Sequence, residues 1–169
     1  VGGGSPADST HLAHALVRRN IPKAFICLFD PVAVRAAGDA GVGGTLTLSM
    51  GGATDVLHGN PLVANVRVEG LYDGVFSEDE ARHGGIVHFD QGKSAVVTIA
   101  SGLTVMLTSK RIVPWSLGQF ACCDLDPHDF DVLVAKGVNS PLAAYASLCS
   151  HFIRVNTPGV TASDLSGFD

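Results

Sequence analysis

The spacing of hydrophobic and polar positions changes twice along the chain and divides it into three regions. In the first region, Leu12, Ala15 and Leu16 recur at helical spacing. The apolar run from Lys23 to Phe29 is typical of a strand that is covered on both faces of a parallel sheet. The segment 45–50 then alternates strictly between apolar and polar residues, which predicts a half-buried strand.

The middle region continues with short strands that turn signals separate. Apolar residues alternate with other residues over 62–69, and Asp73-Gly74 is a hairpin turn signal. After an acidic surface loop, further strand patterns cover 86–89, 95–100 and 103–108. Residues 45–109 therefore predict an antiparallel meander of five or six strands.

Alternation of strand and helix returns after the meander. Residues 132–135 predict a short buried strand, Ser140-Pro141 begins a helix, and 152–155 predict the last strand. We therefore predict one α/β domain over residues 1–169. It has α/β layers at both chain ends around a largely antiparallel β-meander in the middle.

A glycine run near the start predicts a ligand contact. Ser5-Pro6 is typical of a helix N-terminus, and Asp8 completes a Ser-x-x-Asp capping pattern; Ser9 or Thr10 is the alternative cap if the helix starts later. Unpaired N–H groups and the helix dipole at such a terminus favour an anion. An ordinary tight turn before a helix is the alternative interpretation.

Several predicted strands end in polar loops. The ligand crevice of an open α/β sheet lies beyond the carboxyl ends of its strands, so parallel strands would bring these loops to one edge. Such an edge would offer helix N-termini, a cation and hydroxyls to an anionic or carbonyl ligand. The alternative for each residue is a capping, turn-bracing or solvated role. The candidate substrate-binding residues are Gly2, Gly3, Gly4, Ser5, Asp8, Thr10, His58, Lys136, Asn139 and Thr157.

Composition narrows the class of protein. The formal charge of -5 argues against nucleic acid or an anionic membrane as the main partner, because both favour a basic patch. No apolar run approaches the roughly 20 residues of a membrane span. The four cysteines have no paired spacing, which favours free thiols in a reducing compartment and a cytoplasmic location.

No complete catalytic or metal-binding motif is present. His11 and His14 lie three residues apart on the first predicted helix, where they could share a metal, but a solvated polar stripe is favoured. The carboxylates of 124–131 lack the spacing of a calcium loop and are interpreted as a capping loop. We assign no metal ligand and no catalytic residue in this chain.

A set of short motifs is spread over nearly the whole chain, at residues 2–11, 41–44, 51–55 with His58-Gly59, 107–111, 136–139 and 156–161. Each motif is weak alone, and their order makes the set specific. Together they resemble the C-terminal domain of the microcystinase C-like (MlrC) metallopeptidases. Where that family usually has Gly-Asp-Gly-Thr in its opening motif, this chain has Ala7-Asp8-Ser9-Thr10.

The resemblance implies a zinc-dependent peptidase that acts on small or linearised peptides. It also implies that a larger N-terminal domain of the same protein carries the metal ligands, so that zinc belongs to the full-length protein and none is expected in this chain alone. We expect this chain to line or close the active-site cleft. The alternatives are a structural or dimerisation domain, with a second copy as partner, and a stand-alone anion-binding module.

Overall fold

The structure is a computed structural model that describes residues 6–79, 85–112, 116–137 and 140–160. Short 3₁₀ turns lie at Val56–His58 and Pro127–Asp129. The helices of the described residues are α1 (His11–Arg18), α2 (Pro31–Ala40), α3 (Gly118–Ala121) and α4 (Ser140–Tyr145). The strands are β1 (Ala24–Phe29), β2 (Thr45–Met50), β3 (Leu62–Tyr72), β4 (Val75–Ser77), β5 (His88–Asp90), β6 (Ser94–Ile99), β7 (Leu103–Thr108) and β8 (Val132–Val134).

Six strands form one mixed sheet in the order β2-β3-β6-β7-β1-β8. The pairs β2–β3, β3–β6 and β6–β7 are antiparallel, whereas β1 is parallel to both β7 and β8. Strands β4 and β5 form a separate antiparallel pair. The α/β fold class with a largely antiparallel middle region is confirmed.

The sheet is covered on both faces, as the continuous apolar run of β1 predicts. Ile26 and Leu28 belong to the core cluster that includes residues of α1 and α2. Phe25 belongs to a second cluster with Phe120 of α3 and Tyr145 of α4. Because successive side chains of a strand point to opposite faces, β1 contributes to both clusters. β1 is therefore an inner strand between two helical layers.

The predicted helix start at Ser5-Pro6 is wrong. The first helix begins at His11, after Thr10, which was the alternative cap, and Thr10 makes no side-chain capping bond. Residues 6–10 are instead non-helical. The carbonyl oxygen of Ala7 accepts a hydrogen bond from the amide of Phe29, so this segment runs beside the end of β1. Tertiary hydrogen bonds compete successfully here with the local capping pattern.

Two predictions about strands are also wrong. Residues 152–155 form no strand, and the side chains of Phe152 and Ile153 are exposed. An apolar run forms a stable strand only where a sheet neighbour pairs with its backbone, and this segment pairs with no strand. Asp73-Gly74 does separate β3 from β4, but these strands do not pair with each other, because β4 pairs with β5.

Two further expectations concern cysteines and membranes. All four cysteines are free thiols. In the part of the chain that the structure describes, no helix has the length and apolar character needed to cross a bilayer.

Candidate functional site

Asp30 connects three elements at the carboxyl end of β1. Its Oδ1 accepts hydrogen bonds from the amides of Val32 (3.0 Å) and Ala33 (2.9 Å), which caps α2. Its Oδ2 accepts a hydrogen bond of 2.9 Å from the amide of Gly51, just after β2. One buried carboxylate therefore fixes the start of α2 and the loop that follows β2 to the end of β1.

Asp8 lies beside the same loop and is 1% exposed. Its Oδ2 accepts hydrogen bonds from the amides of Ala53 (3.1 Å) and Thr54 (2.9 Å). Its backbone carbonyl accepts a third, from Gly52. Oδ1 is buried and has no hydrogen-bond partner among the described residues. Oδ2 of Asp8 therefore holds the loop, and Oδ1 is available for a further contact.

The close approach of this loop requires glycine. Gly51 has a φ of +63°, and a Cβ at this position would lie 2.7 Å from the carbonyl oxygen of Asp8. Ala7, on the other side of Asp8, also has a positive φ of 65°. This left-handed conformation favours glycine, so the alanine is held there by the surrounding structure.

His58 is buried between two carboxylates. Its Nδ1 lies 2.7 Å from Oδ2 of Asp55 and 3.8 Å from Oδ1 of Asp8. The contact with Asp55 is close but poorly aligned for a hydrogen bond. Gly159 passes the other side of the ring, where a Cβ would lie 3.4 Å from Nε2. The predicted site residues Asp8 and His58 thus lie together, with the chain near Gly159 beside them.

The start of α1 holds the loop that contains His58. The amide of Thr10 donates to the carbonyl of His58, and its hydroxyl donates to the carbonyl of Asn60 at 2.7 Å. Nε2 of His11 lies 2.9 Å from the carbonyl oxygen of Leu57, and Nε2 of His14 lies 2.9 Å from that of Asn60. The two histidines are therefore engaged with the loop backbone, not only with solvent.

Lys136 follows β8 and directs its ammonium group into the protein. Nζ is buried and has no hydrogen-bond partner among the described residues. Burial lowers the pKa of Lys136 from 10.5 to about 8, and the charges of Cys27 and Asp8 oppose this change. Burial also raises the pKa of Cys27 to about 12, an effect that Lys136 partly offsets. The ammonium of Lys136 thus lies within electrostatic range of Asp8.

Comparisons with known proteins give the family of the chain. The family model described as the MlrC C-terminus matches residues 1–169. This chain belongs to the MlrC C-terminal family. A comparison with curated proteins gives no match.

A solved structure is similar to this MlrC C-terminal chain over most of its length. It is the crystal structure of a "putative metallopeptidase" from Mesorhizobium sp. BNC1, with 27% sequence identity and a TM-score of 0.83. The similarity covers 93% of the present chain but 31% of the other. The MlrC C-terminal chain thus spans about a third of the length of that protein.

Not all predicted site residues of the MlrC C-terminal chain can be placed. Asp8, Thr10 and His58 are in direct proximity, and Lys136 interacts electrostatically with Asp8. Thr157 is partly buried two residues before Gly159, but it does not follow a strand. Gly2, Gly3, Gly4, Ser5 and Asn139 lie outside the described residues.

Sequence reasoning missed two residues at this edge. Arg111 lies over the ring of Phe29, 4.5 Å from its centroid, and its Nε donates to the carbonyl of Pro6 at 3.1 Å. A basic pair such as Lys110-Arg111 just after a strand can bind an anion but is usually solvated, so the sequence gives no sign of this packing. Asp55 caps the 3₁₀ turn Val56–His58 and contacts the ring of His58, and the sequence gives no sign of that contact.

The MlrC C-terminal residues at this site do not fit a zinc ion. Over residues 6–79, 85–112, 116–137 and 140–160, no group of three or more histidine, cysteine, aspartate or glutamate side chains is placed to hold a metal. Carboxylate oxygens of Asp30 and Asp8 accept hydrogen bonds from backbone amides. These acidic groups therefore serve the loops.

Proposed function

We propose that this MlrC C-terminal domain lines the substrate cleft of a zinc-dependent metallopeptidase that cleaves small or linearised peptides. The observation that carries the proposal is the buried ammonium of Lys136, which has no hydrogen-bond partner among the described residues. Membership of the MlrC C-terminal family and the similarity to the Mesorhizobium protein support the peptidase class.

Lys136 supplies the charge for substrate binding in this proposal. A buried ammonium without a partner is destabilising, so an anionic group that enters the site regains both charge and hydrogen bonds. A short linear peptide offers such a group in its C-terminal carboxylate. Asp8 holds the loop at residues 53–54 in place and is a positioning residue.

The remaining candidate residues complete the proposed cleft. The glycine run and Ser5 precede Asp8 in sequence, and Asn139 follows Lys136 closely, so we include them in the proposed cleft on their sequence positions alone. His58 and Thr157 contribute polar groups on the side near Gly159. We propose that the edge of residues 2–10 faces the substrate and holds its carboxylate or a carbonyl.

Zinc in a peptidase activates a water molecule and polarises the carbonyl that is attacked. We propose that the N-terminal domain of the same protein holds the zinc ligands, as the resemblance to the MlrC metallopeptidases implies. That domain is also the proposed partner of this one.

Substrates with and without a C-terminal charge test the role of Lys136. In the full-length protein, we expect kcat/KM for a short peptide acid to exceed that for its C-terminal amide by tenfold or more, since a charge-assisted hydrogen bond contributes about 1.5–3 kcal/mol. Lys136→Met should abolish this preference. Lys93→Met, which changes an exposed lysine, should preserve it.

Two results of this experiment would contradict different parts of the proposal. If Lys136→Met keeps the preference for the peptide acid, Lys136 does not bind the carboxylate. If the full-length protein cleaves neither peptide, the peptidase assignment itself is wrong.

Metal content tests the assignment of the zinc ligands. We expect this chain, purified without a histidine tag and dialysed against trace zinc, to hold far less than one equivalent by elemental mass spectrometry. The full-length protein, treated in the same way, should hold stoichiometric zinc. A stoichiometric metal in the chain alone would show that this chain contains metal ligands. It would contradict the assignment of the zinc ligands to the N-terminal domain.

A further inference from the structure

A cluster of sulfur atoms lies on the sheet face that α3 and α4 cover. The side chain of Gln91 is fully buried, and its Nε2 lies 3.4 Å from Sγ of Cys122, 3.5 Å from Sγ of Cys123 and 3.8 Å from Sδ of Met106. Nε2 of Gln119 donates to Oε1 of Gln91 at 3.1 Å, which directs the amino group of Gln91 towards the sulfurs. The cluster is therefore held in one arrangement by two buried amides.

The two adjacent cysteines in this cluster have different environments. Their sulfur atoms are 3.9 Å apart. Cys122 is partly exposed, whereas Cys123 is buried. Cys122 is therefore the more accessible residue of the pair, and the sulfur of Cys123 lies in contact with its sulfur.

The contact between the two thiols shifts their pKa values in opposite directions. The thiol of Cys123 stabilises the Cys122 thiolate, and this contact is the largest cause that lowers the pKa of Cys122. The same contact, together with burial, raises the pKa of Cys123. Gln91 donates to both sulfur atoms, so the difference between the thiols comes from their contact with each other and from burial. Cys122 is thus the thiol that ionises first.

We propose that Cys122 and Cys123 form a modification site for hydroperoxides, in which Cys122 is oxidised and Cys123 resolves the product to a disulfide. A partly exposed thiol with a second thiol in contact is the arrangement of a redox-sensitive cysteine. None of the residues of this cluster is a candidate substrate-binding residue, and the redox proposal does not depend on the proposed peptidase function.

The reaction balances with a hydroperoxide as the oxidant. The Cys122 thiolate attacks the peroxide oxygen, so an S–O bond forms, the O–O bond breaks and the leaving oxygen takes up a proton as water or an alcohol. Sγ of Cys123 then attacks the sulfenic sulfur. The S–S bond forms, the S–O bond breaks, and hydroxide leaves with the Cys123 proton as water. The two thiols lose two electrons, which the peroxide gains.

The resulting disulfide should be easy to reduce. Adjacent Cα atoms are about 3.8 Å apart across a trans peptide, which is shorter than the roughly 4.4–6.8 Å of ordinary disulfides. A bond between Cys122 and Cys123 is therefore strained, and strained disulfides have the more oxidising potentials of labile or regulatory ones. The modification is expected to be reversible by ordinary thiols.

Mass spectrometry of the chain tests this proposal. After treatment with hydrogen peroxide, the intact mass should fall by about 2 Da, and dithiothreitol should restore it. Peptide mapping should place the bond between Cys122 and Cys123. In Cys123→Ser, dimedone should label residue 122, because the sulfenic acid has no resolving thiol. Cys149→Ser should behave as the wild type.

Three results would overturn the proposal. They are a wild-type chain that gains oxygen without forming the internal bond, a disulfide that maps to other cysteines, and a Cys122→Ser variant that still loses about 2 Da. If Cys123→Ser does not fold, as circular dichroism would reveal, the wild-type peptide map and the partly exposed Cys122→Ser variant decide the question.

Discussion

Replacing Asp30 with alanine is expected to lower the free energy of unfolding by about 3 kcal/mol. The substitution removes the cap of α2, which two backbone amides share. It also leaves the buried amide of Gly51 without its acceptor. Each loss has its own cost, because a helix cap contributes about 1 kcal/mol and an unsatisfied buried donor costs about 1–3 kcal/mol.

Urea unfolding at neutral pH measures this effect, and two variants make the comparison specific. Asp30→Asn keeps an oxygen for the α2 cap but places an amino group against Gly51, so an intermediate loss of stability is expected. Asp39→Ala changes an exposed aspartate of the same helix and should alter stability little. An Asp30→Ala variant as stable as Asp39→Ala would contradict the role of Asp30 as a connection between β1, α2 and the loop after β2.

Lys136→Met is expected to stabilise the chain at pH 7 and to change the pH dependence of stability. Burial lowers the folded-state pKa of Lys136 from 10.5 to about 8. Below pH 8 both states carry the charge, and the cost of burying it is fully present at about 3 kcal/mol. Between about pH 8 and 10.5 the unfolded state binds more protons, so stability rises with pH in the wild type. Methionine fills the same space without the charge and removes this rise.

The titration of Cys27 acts in the opposite direction and requires a comparison between variants. The folded-state pKa of Cys27 is raised from 9.0 to about 12, so the unfolded state loses its proton first and stability falls above pH 9. The difference between wild type and Lys136→Met, measured by urea unfolding from pH 7 to 10.5, reports the titration of the lysine together with the part of the Cys27 shift that the lysine offsets. The same comparison in a Cys27→Ala background reports the lysine alone. Lys93→Met is the exposed control. Parallel pH profiles for wild type and Lys136→Met would show that the ammonium is not buried.

Much of the fold follows from local patterns in the sequence. The apolar run before Asp30 predicts β1, and the strict alternation of residues 45–50 predicts β2, because burial on two faces and on one face require different periods. Asp30-Pro31 predicts the start of α2, and the cap is present. In these elements local preference and tertiary burial agree.

The errors occur where long-range contacts override local preference. Ser5-Pro6 is a good helix start in isolation, but residues 6–10 bind instead to the end of β1 and to loops far along the chain. Residues 152–155, three of which are apolar, have strand character without a partner strand. Neither outcome is encoded in the segment itself.

In the candidate site, too, local patterns are readable from the sequence and long-range contacts are not. Asp8 could be selected because it completes a capping pattern after a glycine run, and Lys136 because it follows a predicted strand. The contact of His58 with Asp55 and the packing of Arg111 on Phe29 depend on the path of the folded chain. Spacing along the sequence does not specify that path.

The position of β1 in the sheet has a consequence for folding during synthesis. Ala24 pairs with Leu103 and with Val132, so both neighbours of this strand are made long after it. At a synthesis rate of about 5–20 residues per second, roughly 4–16 s pass between the synthesis of β1 and that of β7, its first neighbour. The hairpin of β6 and β7 closes through a short turn at Ser101-Gly102 and needs no such delay. The apolar residues 24–29 are therefore the segment that most needs protection from aggregation at the ribosome.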